Sequence, residues 1–504
     1  MGKQSLYIIE RQESEEKIFE KLSQTLLIRN ESGTQRQGKY YDTFDWRLYQ
    51  AGFYLQKEEK TLSLINRQTN KPLASIEWRS NRDPRFSDDL PASLLKKQLL
   101  PIMDVRALLP LFKCHINTQR KSILNIDEKI VCRISENTLT VNKSKKQITY
   151  FALEAIRGYR QNFIEAQKIL DSLNLAKTSG DVPTLAMTLL DITPEDYSSK
   201  LHIALSPQLS SHEAFRKIAL FLINVMRCNE QGIIKDIDTE FLHDFRVALR
   251  RTRSAMTQIK NVFSASIIDK YKKEFSLLAK KSNHLRDLDV YLLNKDEFFQ
   301  RLPKTLRPGL DYFYNTLEIE RKKEFEKFVL ELKSASYHTL VKQWISFLNQ
   351  SFAENERGKH YNLPVQELAK RRILKNYRKV VKQGIKMNST TPDENYHAFR
   401  ISCKKLRYLV EFFSSLFPPE ALSPFLKSIK NLQTILGNYN DYSVEQEHLI
   451  DFVNSKQNCP NITAAAIGAL VQDLHQRQQQ IGENFSTAVD QFIKTSKAFE
   501  YYLI

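Results

Sequence analysis

The pattern of apolar and polar positions divides the chain into two parts near residue 200. In the first part, short stretches alternate in polarity or are rich in β-branched and aromatic residues, which predicts strands at 61–65, 73–78, 129–141 and 147–153. Apolar residues at helical spacing predict two helices, at 16–27 and 162–173. We therefore predict an α+β domain over residues 1–200.

The second part has a helical pattern almost throughout, from about residue 208 to the end. The segment 177–207 contains Ser179-Gly180-Asp181 and three prolines, so we interpret it as a linker or a loosely packed connection. Further prolines divide the helical part, at Pro303, Pro308, Pro364, Pro392, Pro418 and Pro419. The sequence therefore predicts an all-α region after the linker.

A sequence motif occurs twice in the helical part, at 243–253 and at 397–407, 154 residues apart. His, Phe, Arg, an aliphatic residue, two adjacent basic residues and a final Arg fall at identical offsets. Asp287 and Val290 match Asp441 and Val444 at the same spacing. We predict two related halves, 208–355 and 356–504, each a four-helix bundle, arranged with pseudo-twofold symmetry.

Basic residues in each motif recur at helical spacing, so they line one face of a helix. The first face holds His243, Arg246, Arg250 and Arg253, and the second holds His397, Arg400, Lys404 and Arg407. The apolar residues of the motifs fall on other faces, which can pack in a core: Phe245, Val247, Leu249, Phe399, Ile401 and Leu406. A preceding helix adds a third row, Arg372, Lys375, Lys379, Lys382 and Lys386. Like charges at this spacing repel each other, so we favour an anion-binding role over a solvated face or a face neutralised by a neighbour's carboxylates. We interpret Asp287 and Asp441 as structural residues that orient basic side chains or cap a helix.

Composition supports an anionic partner. The 504 residues include 76 Lys and Arg against 58 Asp and Glu, a net charge of +18. Twelve basic and two acidic residues fall within 370–407. The five cysteines form no C-x-x-C pair, which excludes a disulfide scaffold and gives no zinc signature. Without an apolar run of about 20 residues or a secretory signal, we expect a cytoplasmic protein.

The helical part resembles the conserved histidine α-helical (CHAD) domain family over about residues 208–504. The resemblance rests on the two motifs, on Arg286-Asp287-Leu288-Asp289-Val290, and on Leu432-Gln433 with Leu436-Gly437 and Asp441. It implies two four-helix bundles around a basic cavity that binds inorganic polyphosphate. The contacts it implies are His243, Arg246, Arg250, Arg251, Arg253, Arg371, Arg372, Lys375, Arg378, Lys379, Lys382, His397, Arg400, Lys404, Lys405 and Arg407.

Residues 1–200 resemble the CYTH, or triphosphate tunnel, domain, through Tyr40-Tyr41-Asp42-Thr43-Phe44-Asp45, 48–52 and 153–158. This resemblance implies an α+β tunnel-barrel-like fold that handles triphosphates with a divalent metal, through an E-x-E-x-K strand near the N-terminus. The aligned strand is Ile8-Ile9-Glu10-Arg11-Gln12, which keeps only Glu10.

Other tunnel positions also depart from the family pattern. Gln56, Glu58 and Glu59 stand where arginines are expected, and Glu77 where a lysine is expected. A metal–triphosphate site needs several carboxylates for the metal and several basic groups for the phosphates. We therefore predict a degenerate, inactive tunnel domain, with Glu10 and Glu154 as metal ligands only if it is active.

We predict that the protein binds inorganic polyphosphate without catalysis, and needs no cofactor. One alternative is a CYTH-type triphosphatase or nucleotide cyclase that uses a divalent metal. A second is nucleic-acid binding, which we do not favour because the basic faces lack exposed aromatic rings for base stacking. We expect no membrane partner and an association with polyphosphate granules, and the oligomeric state stays open.

Overall fold

The computed structural model describes residues 4–8, 15–24, 26–141, 146–173, 175–178, 181–387, 391–483 and 485–504. The chain divides into two compact units, 1–198 and 199–504. The first contains an antiparallel sheet with helices and the second is all helical, so the predicted order of fold classes is confirmed. In the described ranges, no helix has both the length and the apolar character to cross a bilayer.

The first unit is built on one antiparallel sheet, which has ten strands in the described residues. They are β1 (Gln4–Ile8), β2 (Leu27–Asn30), β3 (Thr34–Thr43), β4 (Phe53–Glu58), β5 (Thr61–Asn66), β6 (Lys71–Glu77), β7 (Leu108–Leu124), β8 (Ile130–Val141), β9 (Gln147–Ala155) and β10 (Ala176–Thr178). Their order is β10-β1-β9-β8-β7-β3-β4-β5-β6, and β2 pairs with β7. The four predicted strands are β5, β6, β8 and β9.

Helices cover the sheet of the first unit. They are α1 (Glu15–Ser23), α2 (Arg47–Gln50), α3 (Leu94–Met103), α4 (Arg160–Ser172) and α5 (Val182–Leu189). Phe163 and Leu170 of α4 pack with Ile134 and Phe151 of the sheet in one apolar core. The two predicted helices are α1 and α4. The predicted end of α1 was too late, because Leu27 begins β2.

The predicted linker over 177–207 is wrong for its central part, because α5 lies within it. Asp181 caps this helix by accepting a hydrogen bond from the Thr184 backbone NH at 3.0 Å, and Pro183 falls in the first turn, where proline is tolerated. Leu185 and Met187 are buried in the core of the first unit. Ser179 and Gly180 lie outside the described residues.

The second unit is all helical in its described part. Its helices are α6 (Ser211–Ile234), α7 (Thr239–Gln258), α8 (Ala265–Leu293), α9 (Lys295–Arg301), α10 (Gly309–Leu332), α11 (Ala335–Asn349), α12 (Val365–Gly384), α13 (Asp393–Phe412), α14 (Pro419–Ser455), α15 (Asn461–Glu483) and α16 (Phe485–Glu500). As predicted, prolines mark helix starts: α10, α12 and α13 each follow a proline, and α14 begins at one.

The helix starts have the same spacing as the sequence motifs. Helices α12, α13 and α14 begin 154 residues after α6, α7 and α8, respectively. Helices α7 and α13, which carry the two motifs, are both 20 residues long. This spacing agrees with a repeat, while the pseudo-twofold relation of the halves stays a prediction.

Two aromatic cores hold the motif helices in place. Around α7, the rings of Phe245 and Phe328 lie 5.9 Å apart. Around α13, Phe399 contacts Phe485 with ring centroids 6.1 Å apart. Phe245 and Phe399 are fully buried, as predicted, whereas the core position predicted for Ile401 is wrong, because that side chain is 38% exposed. Burial of one face of each helix leaves the basic face for other contacts.

Candidate anion-binding site

The first basic face starts next to a well-formed helix N-terminus. Asp238 caps α7 by accepting hydrogen bonds from the backbone NH groups of Glu240 at 2.9 Å and Phe241 at 3.3 Å. The cap fixes where the helix begins, and Phe245 fixes its rotation by facing the core. His243 lies within two turns of the cap and is half-buried. Arg250, further along the helix, is exposed.

Arg246 is held in place by the neighbouring helix α8. Its Nη1 donates to Ser282 Oγ at 2.7 Å and to Asn283 Oδ1 at 2.9 Å. The pKa of Arg246 is lowered to about 10, mainly by burial; Asp287 opposes the shift, and nearby arginines, including Arg250, contribute to it. Arg246 therefore stays positive at neutral pH, but part of its hydrogen-bonding capacity is used within the protein.

The second basic face is oriented by α14. His397 Nδ1 lies 2.6 Å from Asn440 Oδ1, and Arg400 Nη2 donates to Asp441 Oδ1 at 3.1 Å. The geometry confirms the prediction that Asp441 orients a basic side chain. Asp287 has an attractive interaction with Arg246, although burial raises the pKa of this carboxyl group above its usual value.

The two motif helices pack against each other. Glu411 of α13 accepts a hydrogen bond from Arg251 Nη2 of α7 at 3.0 Å, and its other carboxylate oxygen lies 3.3 Å from Arg407 Nε. The buried ring of Tyr408 lies between the helices, with its centroid 5.8 Å from the guanidinium carbon of Arg250. The structure therefore brings the basic residues of the two motifs to one place.

Lys404 lies within this group of cations and is half-buried. Its pKa is lowered to about 7, mainly by burial and also by the positive charges of Arg400, Arg250 and Arg407, against the opposing effect of Asp441. No ion pair of Lys404 occurs in the part of the chain that the structure describes. The cluster therefore holds more cations than the acids paired with it, Asp441 and Glu411, can neutralise.

Helix α12 contributes one residue near α7 and several on its surface. Arg372 Nε donates to the Gln258 backbone carbonyl, the last residue of α7, at 2.7 Å. Burial lowers the pKa of Arg372, and that of Arg253 on α7, below the ordinary value. The other predicted residues of α12 are exposed: Arg371, Lys375, Arg378, Lys379 and Lys382.

Two of these exposed residues, both arginines, form intramolecular ion pairs. The three lysines have no ion pair within the ranges that the structure describes. Arg371 pairs with Glu367 on its own helix, and Arg378 Nε lies 3.8 Å from Glu500. Lys405, the remaining predicted residue on α13, is half-buried. The structure thus brings residues of α7 and α13 together and places most of the α12 residues on an exposed helix face.

Sequence reasoning missed the residues that hold the cations in position. Glu411 stands four residues after Arg407 on the same helix, a spacing that indicates an ion pair. Its contact with Arg251 of the other half had no signal in the sequence. Ser282 and Asn283 also had none, because they meet Arg246 only through the packing of α8 against α7.

The sheet of the first unit encloses a cavity of about 790 Å³. Lining residues come from β1 at one side of the sheet and β5 near the other, so the sheet curves around it. The charged residues of the described lining are the acids Glu31, Glu58, Glu154 and Asp181 and the bases Arg36 and Arg120. Glu154 lies 3.8 Å from Arg120, and Glu10 lies outside the described residues.

This lining does not fit a metal–triphosphate complex. Acids outnumber bases among the described lining residues, whereas a triphosphate needs an excess of bases. Lys57 of β4 is directed elsewhere, because its Nζ donates to the Ser80 backbone carbonyl at 3.0 Å. Among the described residues, no group of three or more His, Cys, Asp and Glu is placed to hold a metal ion.

The solved structures that are similar to this chain include the following three. The CHAD domain from the plant Ricinus communis is 20% identical, with a TM-score of 0.49, over 58% of this chain and 96% of that one. PptA from Streptomyces chartreusis is 13% identical, with a TM-score of 0.42, over 55% and 97%. The putative adenylyl cyclase HpAC1 from Hippeastrum, described as having a dominant triphosphatase activity, is 10% identical, with a TM-score of 0.25, over 39% and 100%.

No curated protein matches the chain. The model of one family, the CHAD domain, matches residues 217–450. This range runs from α6 into α14 and includes both basic motifs and the contact between Arg251 and Glu411. Residues 217–450 are therefore similar to the CHAD domain family.

Proposed function

We propose that the helical unit binds inorganic polyphosphate without turning it over, through the basic faces of α7 and α13 and the exposed row on α12. The observation that carries this proposal is the group formed by Arg250, Arg400, Lys404 and Arg407. These cations come from two packed helices, and burial together with the repulsion from its neighbours lowers the pKa of Lys404. Asp441 pairs with Arg400 and Glu411 with Arg407, so the site has more cations than acids, which suits an anion with several closely spaced charges.

The chemistry of the donors favours phosphate oxygens. Arginine offers a planar fork of NH donors that matches a phosphate group, and charge-assisted hydrogen bonds of this kind are strong. A linear polyphosphate carries a charge on every phosphate, so successive groups can contact successive residues along one helix face. Counterion release then makes the affinity fall steeply with salt concentration.

Nucleic acid is a weaker candidate for the same surface. Single-stranded nucleic acid is held by aromatic rings on which its bases stack. The aromatic residues beside the basic faces are buried: Tyr408 is 3% exposed, and Phe245 and Phe399 face the cores. A surface that contacts only phosphates should prefer the ligand with the denser charge.

The triphosphatase or cyclase alternative would use the first unit. Its cavity has the wrong balance of charge for a metal–triphosphate complex, because four acids face two bases in the described lining. We therefore place the proposed ligand in the helical unit and propose that the first unit is not a catalyst.

A competition experiment on the full chain tests the proposed function. Fluorescently labelled long-chain polyphosphate is bound to the protein at low salt. Unlabelled polyphosphate or unlabelled single-stranded RNA is then titrated in, with both concentrations counted as phosphate. We expect polyphosphate to displace the labelled ligand at a concentration at least about tenfold lower than RNA does. The reason is that this surface offers no exposed rings on which the bases of RNA could stack, whereas polyphosphate needs none. Displacement by RNA at equal or lower concentration would contradict the proposal.

A charge-matched pair of variants assigns the binding to the proposed surface. Lys375→Gln/Lys379→Gln removes two exposed cations of α12, and Lys322→Gln/Lys323→Gln removes two exposed cations of α10. Only the first variant should reduce the slope of log Kd against log salt, by about one to two units. Equal slopes for both variants would show that net charge, and not the α12 surface, controls binding.

A further inference from the structure

We propose that Lys404 takes up a proton when the polyanion binds, so that this site couples polyphosphate binding to pH. The inference rests on the proposed function and concerns its regulation. In this proposal Lys404 changes its protonation state on binding, whereas the arginines around it carry their charge in both the free and the bound protein.

The surroundings of Lys404 are the basis for this proposal. Arg400 and Arg407 lie one turn before and one turn after it on α13, and Arg250 approaches from α7. Asp441 of α14 is the acid that faces it, and this carboxylate already accepts a hydrogen bond from Arg400. The largest electrostatic effects on Lys404 come from these residues of α7, α13 and α14.

A cation placed among three other cations, and partly shielded from water, is destabilised relative to the neutral amine. The pKa of about 7 means that a substantial fraction of Lys404 is neutral at pH 7 to 8 in the free protein. A bound polyanion reverses the sign of the local potential and stabilises the ammonium form. Binding must therefore raise the pKa of Lys404, and proton uptake follows by linkage.

The sign of the pH dependence follows from the same linkage. The contribution of Lys404 to affinity is fully present below its free-state pKa, where the ammonium is already formed. It is lost as the pH rises through the bound-state pKa, because the complex must then bind a neutral amine. Affinity should therefore decrease from pH 7 towards pH 9.5, over a range in which the internal phosphates of the chain, which are joined by phosphoanhydride bonds, stay fully ionised.

Two histidines belong to the same proposed site. His397 contacts Asn440, and His243 heads the face on α7. Their contribution is separated from that of Lys404 by substitution of the lysine alone. Lys404→Arg keeps the positive charge and leaves both histidines in place, but its guanidinium does not release a proton in this range.

Calorimetry measures the proton uptake directly. The full chain is titrated with long-chain polyphosphate at pH 8.0 in phosphate-free buffers with different ionisation enthalpies, and the slope of the observed enthalpy against buffer enthalpy gives the protons taken up. We expect the wild type to take up about 0.5 to 1 proton more per binding site than Lys404→Arg. Lys405→Met, which removes a charge one residue away, should bind more weakly but keep the wild-type uptake.

The possible results separate the two proposals. If the wild type and Lys404→Arg both bind with equal proton uptake, the proposed coupling is wrong and polyphosphate binding stands. If neither protein binds polyphosphate at low salt, the proposed function fails and the coupling fails with it. A difference in uptake that is also lost in Lys405→Met would assign the effect to general charge removal and overturn the assignment to Lys404.

Discussion

Arg251 of α7 and Glu411 of α13 form an ion pair across the two motif helices, with Nη2 and Oε2 3.0 Å apart. Both side chains are largely buried, with 12% and 13% of their side-chain surface exposed. The same carboxylate lies 3.3 Å from Arg407 Nε, so one acid restrains two of the predicted ligand-binding cations. The cations at this junction are therefore divided between those that hold the helices together and those that remain available to a ligand.

Removal of Glu411 should destabilise the helical unit. Glu411→Gln leaves two partly buried arginines without a charged partner, which should lower the free energy of unfolding by about 2 kcal/mol. For a unit of this size, we expect the Tm to fall by about 4 °C. Thermal melts followed by circular dichroism measure this change.

A second ion pair provides the control for this variant. Glu367 pairs with Arg371 on the exposed face of α12, so Glu367→Gln should change the free energy of unfolding by less than about 0.5 kcal/mol. Equal losses of Tm for the two variants would contradict the structural role of Glu411.

Loss of Arg250 should affect only polyphosphate binding, whereas loss of Arg246 should affect both binding and stability. Arg250 is exposed, so Arg250→Gln should weaken polyphosphate binding about tenfold at low salt and leave the Tm unchanged. Arg246 donates to Ser282 and Asn283 of α8, so Arg246→Gln should lower the Tm as well as the affinity. Binding titrations and melts of the two variants test this division, which a lower Tm for Arg250→Gln would refute.

Lys404 should decrease the stability of the free protein, by an amount that depends on pH. Its pKa falls from 10.5 in the unfolded chain to about 7 in the folded protein. The destabilisation by Lys404 is therefore absent above pH 10.5, grows as the pH falls, and is complete below pH 7. Lys404→Met removes this dependence. The Tm of the variant should therefore exceed that of the wild type by more at pH 6.5 than at pH 9.5.

The matched variant for this test is Lys427→Met on α14, which replaces an exposed lysine. Its Tm difference from the wild type should be the same at both pH values. A Lys404→Met advantage that is larger at pH 9.5 would mean that Lys404 is not destabilised by its neighbours.

The first unit should not hydrolyse triphosphates. With Mg²⁺ and tripolyphosphate, the full chain should release phosphate no faster than heat-denatured protein, because the described cavity lining holds more acids than bases. Glu154→Gln is the informative variant, since Glu154 lines this cavity. Phosphate release by the wild type that Glu154→Gln abolishes would show that the cavity is catalytic.

The sequence predicted the elements of the site better than their contacts. Helical spacing placed Arg246, Arg250 and Arg253 on one face, and α7 spans all three. Such spacing describes a single helix, however, and contains no information on how two helices cross. The contact between Arg251 and Glu411 depends on that crossing.

Long-range packing explains other differences as well. Helix α5 was missed because the local signals around Asp181 and Pro183 indicate a turn as readily as a helix start. The buried contacts of Leu185 and Met187 decide between the two, and they come from distant strands. Ile401 was predicted to be buried from its neighbours in the motif, but the rotation of α13 is set by Phe399 and leaves it exposed.

A calorimetric titration with long-chain polyphosphate tests the central claim most directly. The wild type, Arg250→Gln/Lys404→Gln and Lys322→Gln/Lys323→Gln are compared at about 50 and 200 mM salt, each variant having lost two positive charges. We expect tight binding of the wild type that weakens steeply at the higher salt, a loss of at least about tenfold in the first variant, and near-wild-type binding in the second. Equal affinities for the two variants, or no binding by the wild type at 50 mM salt, would contradict the assignment of a polyphosphate site to the junction of α7 and α13.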